Sequence, residues 1–94
     1  MSYVLRVPAR DADLIRGLHP EIKKKVRASL QAVVQAPIVG KSLKEELSGL
    51  RSYRMGRLRI VYRVTDDRVI EIVAIGPRTQ IYQETLRLVQ REHR

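Results

Sequence analysis

Leu50-Arg51-Ser52-Tyr53-Arg54-Met55-Gly56-Arg57-Leu58-Arg59-Ile60-Val61-Tyr62-Arg63-Val64-Thr65-Asp66-Asp67-Arg68-Val69-Ile70-Glu71-Ile72-Val73-Ala74-Ile75-Gly76 is the stretch that decides the fold. Its β-branched and aromatic content and its period of two mark strands rather than helix. Three runs follow one another, Leu50 to Gly56, Leu58 to Thr65 and Arg68 to Gly76, with Gly56-Arg57 and Asp66-Asp67 suited to the two hairpin turns. The expected product is a three-stranded antiparallel meander.

Successive strand residues point to opposite faces, so alternation also sorts the side chains. Tyr53 and Met55 share one face with Leu58, Ile60, Tyr62 and Val64. Ser52, Arg54 and Gly56 fall on the other, with Arg59, Val61 and Arg63. Arg54, Arg59 and Arg63 are thereby expected on one sheet face, where like charges on neighbouring strands repel. Two readings stand: an anionic partner occupies that face, or the arginines are solvated and paired with Glu71 on the next strand. Residues 51–63 also include Arg51 and Arg57 and contain no acid.

Working outward, Tyr3 to Val7 reads as a first strand ended by Pro8, and Asp11 to Leu18 as a short helix. Pro20 suits the first position of a second helix, in which Ile22, Val26, Leu30, Val33 and Val34 recur at helical spacing up to Ala36-Pro37. Lys23, Lys24, Lys25 and Arg27 lie on its polar face, solvated or in contact with phosphate. Ser42 to Leu47, including Lys44, suggests one helical turn. Beyond Gly76-Pro77, residues Ile81, Tyr82, Thr85, Leu86, Leu88 and Val89 suggest a short C-terminal helix fraying at Arg91 to Arg94. The fold class is therefore α+β, β-α-α-β-β-β with a short C-terminal helix, its mainly antiparallel sheet packed on a helical hairpin. One domain spans residues 1–94, since a chain this short supports one core.

The 94 residues carry 19 Lys and Arg against 10 Asp and Glu, a formal charge of +9 that favours a polyanionic partner. The absence of cysteine excludes disulfide staples and thiol chemistry. No apolar run reaches membrane-spanning length and no leader-like start is present, so a cytoplasmic, unprocessed protein without membrane contact is expected. No Gly-rich phosphate loop and no metal-ligand spacing occur: His19 stands at a helix boundary and His93 in the tail, so neither cofactor nor metal is expected. A histidine-pair ribonuclease is disfavoured for the same reason. What remains is electrostatic catalysis by arginine on a phosphorane-like transition state. Arginine stays protonated, so a base would be Tyr82, or a carboxylate such as Glu45 or Glu46, unless positioning by a partner does most of the work. Tyr82 follows Arg78 by four residues and shares a helix face with it if that segment is helical; its ring suits packing or stacking on an unpaired base.

The run Leu47 to Val64, with Ile70 to Arg78 and Ile81-Tyr82, resembles the RelE/ParE superfamily of type II toxin–antitoxin toxins, and more specifically its RelE branch. The likeness covers nearly the whole chain and rests on the paired patterns YR.G..RIVY and IG.R...Y. It implies a messenger-RNA endoribonuclease acting in the ribosomal A site, in which the 2′-hydroxyl of the message attacks the adjacent phosphate. Carried over by position, the resemblance implies catalytic roles for Arg54, Arg59, Arg78 and Tyr82, with Arg51, Arg57, Arg63, Lys23, Lys24 and Lys44 as RNA-binding candidates. Gly56 stands where the founding branch carries a second lysine used in proton transfer. The resemblance further implies a cognate antitoxin in a hetero-oligomer, and the ribosome and mRNA as targets. Its alternatives are a ParE-like inhibitor of DNA gyrase and an inactive nucleic-acid- or antitoxin-binding member.

Overall fold

The computed structural model describes residues 3–92; His93 lies outside them. The chain runs β1 (Val4–Arg6), α1 (Ala9–Arg16), α2 (Pro20–Gln35), β2 (Lys41–Ser42), β3 (Arg51–Met55), β4 (Leu58–Val64), β5 (Val69–Pro77) and α3 (Ile81–Glu92), with 3-10 turns at Pro37–Val39 and Glu45–Leu47. The five strands form one sheet in the order β1-β5-β4-β3-β2. Every pairing is antiparallel except β1 with β5, which is parallel. The expected α+β class and meander are present. β2 is an addition, too short to carry a legible period, and β5 ends on Pro77, one residue later than expected.

The two hairpin turns follow from backbone requirements. Gly56 has φ +60 while Arg57 does not, so Gly56-Arg57 makes a two-residue turn with the left-handed residue first, a place glycine fills without steric cost. The second turn is longer than Asp66-Asp67. Thr65 and Val69 close it, Arg68 N–H donates to the Thr65 carbonyl, and Arg68 itself takes φ +63. This is the three-residue pattern in which a left-handed residue follows a tight turn.

Two cores sandwich the sheet. On one side α2 contributes Val26, Leu30 and Val33 against Met55, Ile60, Tyr62, Ile70, Ile72 and Ile75. His19 caps α2, its Nδ1 accepting from Glu21 N–H at 3.2 Å. On the other side Ile81, with Tyr82, Leu88 and Val89 around it, packs on Leu50, Val61, Val73 and Ala74. The helical hairpin therefore covers one face only, and α3 lies across the face that carries the arginines. The reason is visible in β5: Ile72, Val73, Ala74 and Ile75 are all buried, and a continuous apolar run of this kind belongs to a strand covered on both faces. A bulge between Val61 and Tyr62 leaves Val73 unmatched, and Arg10 donates to its carbonyl at 3.1 Å.

Tyr62 is fully buried and joins the sheet to the α2–β2 connection. Its hydroxyl accepts from Gly40 N–H at 2.9 Å and donates to the Pro37 carbonyl at 2.6 Å. Burial raises its pKa above the ordinary tyrosine value, partly opposed by the Gly40 bond.

Asp11 on α1 is buried, and its Oδ2 has no hydrogen-bond partner; Arg10 stands 3.8 Å away. Burial raises its pKa above the usual carboxylate value, and Arg10 only partly counters this. A raised folded pKa means the fold prefers the protonated acid, so this stabilisation is present below the unfolded pKa and lost as pH rises through the folded one. Asp11→Asn is accordingly expected to raise stability at pH 7 by about 1 kcal/mol, the scale of an unsatisfied buried group. Thermal melts of both proteins from pH 7 to pH 3.5 test this; a gap that does not close at acid pH would show that ionisation is not the cause.

Candidate nucleic-acid interface

The site is built from the polar face of β3 and β4. Their register sets Ser52 against Val61 and Arg54 directly against Arg59. Arg57 lies in the intervening turn, and Arg78 N–H donates to the Arg57 carbonyl at 3.0 Å, which brings the start of the β5–α3 connection to the same end of the sheet. Among the described residues, Arg54, Arg57, Arg59 and Arg78 take part in no ion pair. Four guanidinium groups without a counter-ion are thus gathered around one hairpin end. Arg54, Arg57 and Arg78 are exposed, while Arg59 is half-buried.

Arg59 is held from two directions. Its Nη1 donates to Ser52 Oγ at 3.3 Å, and its Cζ lies 5.9 Å from the centre of the Tyr82 ring, within the range of a cation–π contact. Tyr82 projects from the first turn of α3, where its hydroxyl donates to the same Ser52 oxygen at 3.4 Å. The Tyr82 ring also lines a groove of about 420 Å³ with Lys41, Ser42, Leu43, Lys44 and Leu47. Lys44 is thereby linked to the arginine face through Tyr82. Lys41, not singled out in the sequence, joins it, because pairing with Ser52 sets Lys41 at the rim.

Arg63 shares the face but not the role expected of a free cation. It is bonded to Glu71 on β5 and makes a two-pronged pair with Glu92 of α3 at 3.1 and 3.2 Å. Burial works to lower its pKa, but Glu92 and Glu71 together raise it above the ordinary arginine value. The Arg63 bond in turn holds Glu71 below the usual carboxylate range against the cost of burial, with help from Arg6 at 3.3 Å. The paired reading thus describes Arg63, whereas Arg54 and Arg59 take part in no ion pair among the described residues.

Three other candidates lie elsewhere. Arg51 has the opposite parity and donates to the carbonyls of Ile38 and Gly40, at 3.3 and 2.7 Å. Lys23 and Lys24 sit at the start of α2, the helix that packs on the other sheet face. Ser52 carries no motif as a lone serine in a strand; the register and the docking of α3 bring Arg59 and Tyr82 to its hydroxyl. Glu45 and Glu46, the carboxylates considered as bases, are exposed in the second 3-10 turn. Among the described residues no cluster of three or more metal-ligand side chains occurs, and no helix is long and apolar enough to cross a membrane.

Comparison with known proteins gives the same outline. A family model described as the ParE toxin of the type II toxin–antitoxin system parDE matches residues 11–82. The toxin–antitoxin complex RelBE2 from Mycobacterium tuberculosis contains a chain similar at 28% identity and TM-score 0.73, over 83% of this chain and 100% of that one. A double arginine-to-alanine mutant of Escherichia coli toxin RelE in the free state is similar in fold at TM-score 0.76 and 20% identity, over 98% of each chain. The archaeal RelE–RelB complex from Pyrococcus horikoshii matches at TM-score 0.70 and 22% identity, over 83% of this chain and 97% of that one. No curated protein matches the sequence.

Proposed function

The chain belongs to the RelE/ParE superfamily of type II toxin–antitoxin toxins, and from that premise we propose that it is a ribosome-dependent endoribonuclease that cleaves messenger RNA. The observation that carries this reading is the uncompensated cluster of Arg54, Arg59, Arg57 and Arg78 beside the Tyr82 groove. Cleavage proceeds by attack of a ribose 2′-hydroxyl on the adjacent phosphorus. The 2′-hydroxyl gives up its proton to water, the bond to the 5′-oxygen breaks and that oxygen takes up a proton from water, so the products are a 2′,3′-cyclic phosphate and a 5′-hydroxyl. Negative charge accumulates on the phosphorane oxygens, where preorganised guanidinium groups stabilise the transition state more than the substrate.

Arg59 supplies the fixed charge, Arg54 and Arg78 close around the phosphate from the exposed side, and Tyr82 stacks on or orients the nucleotide. Lys41, Lys44 and Arg57 hold the flanking phosphates. Gly56 occupies the turn position with positive φ, so a lysine there would be strained even though nothing lies within 4 Å of an added Cβ. The sheet thus offers no second amine at this point. Placement of the attacking hydroxyl falls to the ribosome-bound message, a contribution that effective-molarity arguments allow to be large. The partners proposed are mRNA on the ribosome and an antitoxin whose acidic segment neutralises the arginine face; the compartment is the cytoplasm.

Incubation of the purified chain with translating ribosomes, followed by mapping of message ends, tests the reading. Cuts bearing 2′,3′-cyclic phosphate ends support it; intact messages count against it. The name of the matched family model favours one other reading, inhibition of DNA gyrase. Gyrase-dependent DNA breaks with messages intact would select that one.

A further inference from the structure

Resting on this reading of the arginine face, we propose that Ser52 is the positioning residue of the site. The residue is 2% exposed, and its Oγ accepts from both Arg59 and Tyr82, at 3.3 and 3.4 Å. The two groups come from different elements, β4 and α3. An apolar seat docks α3 on the sheet, and what joins the two side chains at this spot sets their final placement. Register explains the reach: Arg59 stands opposite Arg54, two residues along β3 from Ser52, a diagonal that a long side chain spans.

The chemistry of the join also matters. Arg63, on the same face, is ordered by Glu71 and Glu92, and those carboxylates cancel its charge. Arg59 is ordered by a neutral hydroxyl and an aromatic ring, which leave its charge available to an anion. Its Nε is buried without a partner, so Nη1 on Ser52 is the bond that fixes the plane of the guanidinium. A serine is small enough to be buried beneath Tyr82 and accepts without carrying charge. That combination is what a phosphate-binding arginine requires.

The test uses Ser52→Ala, Ser52→Thr, Tyr82→Phe and the Ser52→Ala/Tyr82→Phe double variant, with two readouts. The first is the NMR signal of the Arg59 Nη1–H, the proton donated to Ser52, assigned by its loss in Arg59→Lys. It is expected to be resolved and slow to exchange in the wild type and in Ser52→Thr, and to exchange at least tenfold faster in Ser52→Ala. The second is the cleavage rate at saturating ribosomes. Ser52→Ala is expected to lower it by roughly tenfold to a hundredfold, with Ser52→Thr restoring it, because small misplacements are costly in a preorganised site. The double variant should be little worse than the poorer single one, as for residues acting as a unit. An unchanged Arg59 signal in a folded Ser52→Ala protein, or independent multiplicative losses in the double variant, overturns the proposal. If the wild type cuts no message, the nuclease reading fails and the Arg59 signal alone decides the role of Ser52.

Discussion

Replacing Arg59 with alanine is expected to slow message cleavage on translating ribosomes by about a hundredfold to a thousandfold, the scale of removing one preorganised donor from a developing oxyanion. The size of the effect follows from its setting. Arg59 is the half-buried member of the cluster and is fixed by Ser52 and the Tyr82 ring, so its charge requires little reordering when the phosphorane forms. Arg54 opposite it is exposed, and Arg54→Ala should cost less. Arg59→Lys keeps the charge but loses the planar fork, so it should recover only part of the rate. Folding is expected to survive. The substitution removes a like-charge pair facing each other across two strands, and that relief offsets the loss of the Ser52 hydrogen bond and the Tyr82 cation–π interaction. Single-turnover cleavage and a thermal melt check both halves; a folded Arg59→Ala protein with the wild-type rate would remove Arg59 from the site.

The largest effect on stability is expected at Gly40, whose carbonyl accepts from Arg51 and whose Cα faces the Tyr62 ring. A Cβ at this position would lie 2.5 Å from the Tyr62 hydroxyl oxygen and 2.8 and 2.9 Å from two ring carbons. The ring is fully buried in the main core and has nowhere to retreat. Gly40→Ala therefore forces apart the α2–β2 connection and the sheet, and strains both hydrogen bonds of the Tyr62 hydroxyl. Overpacking costs about 1–3 kcal/mol and a disrupted buried hydrogen-bond group about 1–3 more, so a loss of roughly 3–5 kcal/mol is expected. For a domain of this size each kcal/mol lowers Tm by about 4–8 °C. Calorimetry should show a drop of roughly 12–40 °C. Tyr62→Phe removes the hydroxyl without adding bulk and is expected to cost about 1–3 kcal/mol. The double variant should be less damaging than the sum, because the shortest clash is with the oxygen that Tyr62→Phe deletes. Additive losses would show that the ring, and not the hydroxyl, governs the strain.

Much of this architecture was legible in the residues because the decisive signals are local. Alternation from Ser52 to Arg63 placed Arg54 and Arg59 on one face, and their direct opposition follows from a two-residue turn at Gly56. Helix α2 was legible for the same reason, its Val26, Leu30 and Val33 recurring at helical spacing. The features that escaped depend on long-range pairing. β2 exists because Lys41 and Ser42 find Ser52 and Arg51, and nothing in two residues announces a strand. That α3 would lie over the arginine face turned on Val61, Val73 and Ala74 supplying an apolar seat, a hint present in the unbroken apolar run of β5. Arg63 looked equivalent to Arg59 by parity. What separates them is the pairing with Glu71 on the next strand together with Glu92, twenty-nine residues away and reached only through the docking of α3.

The parallel pairing of β1 with β5 bears on how the molecule is made as well as how it stands. Val4 meets Val69, and Arg6 meets Glu71, so the first strand can enter the sheet only after the third hairpin strand exists. The β3–β4 and β4–β5 ladders are local and form early, whereas β1 must close a loop that spans most of the chain. Helix α3 comes later still in the sequence. During synthesis the cationic hairpin is therefore expected to assemble ahead of the pairing that completes the sheet edge. A nascent chain carries its charge before Tyr82 can reach Ser52 and Arg59, because α3 follows every strand in the chain.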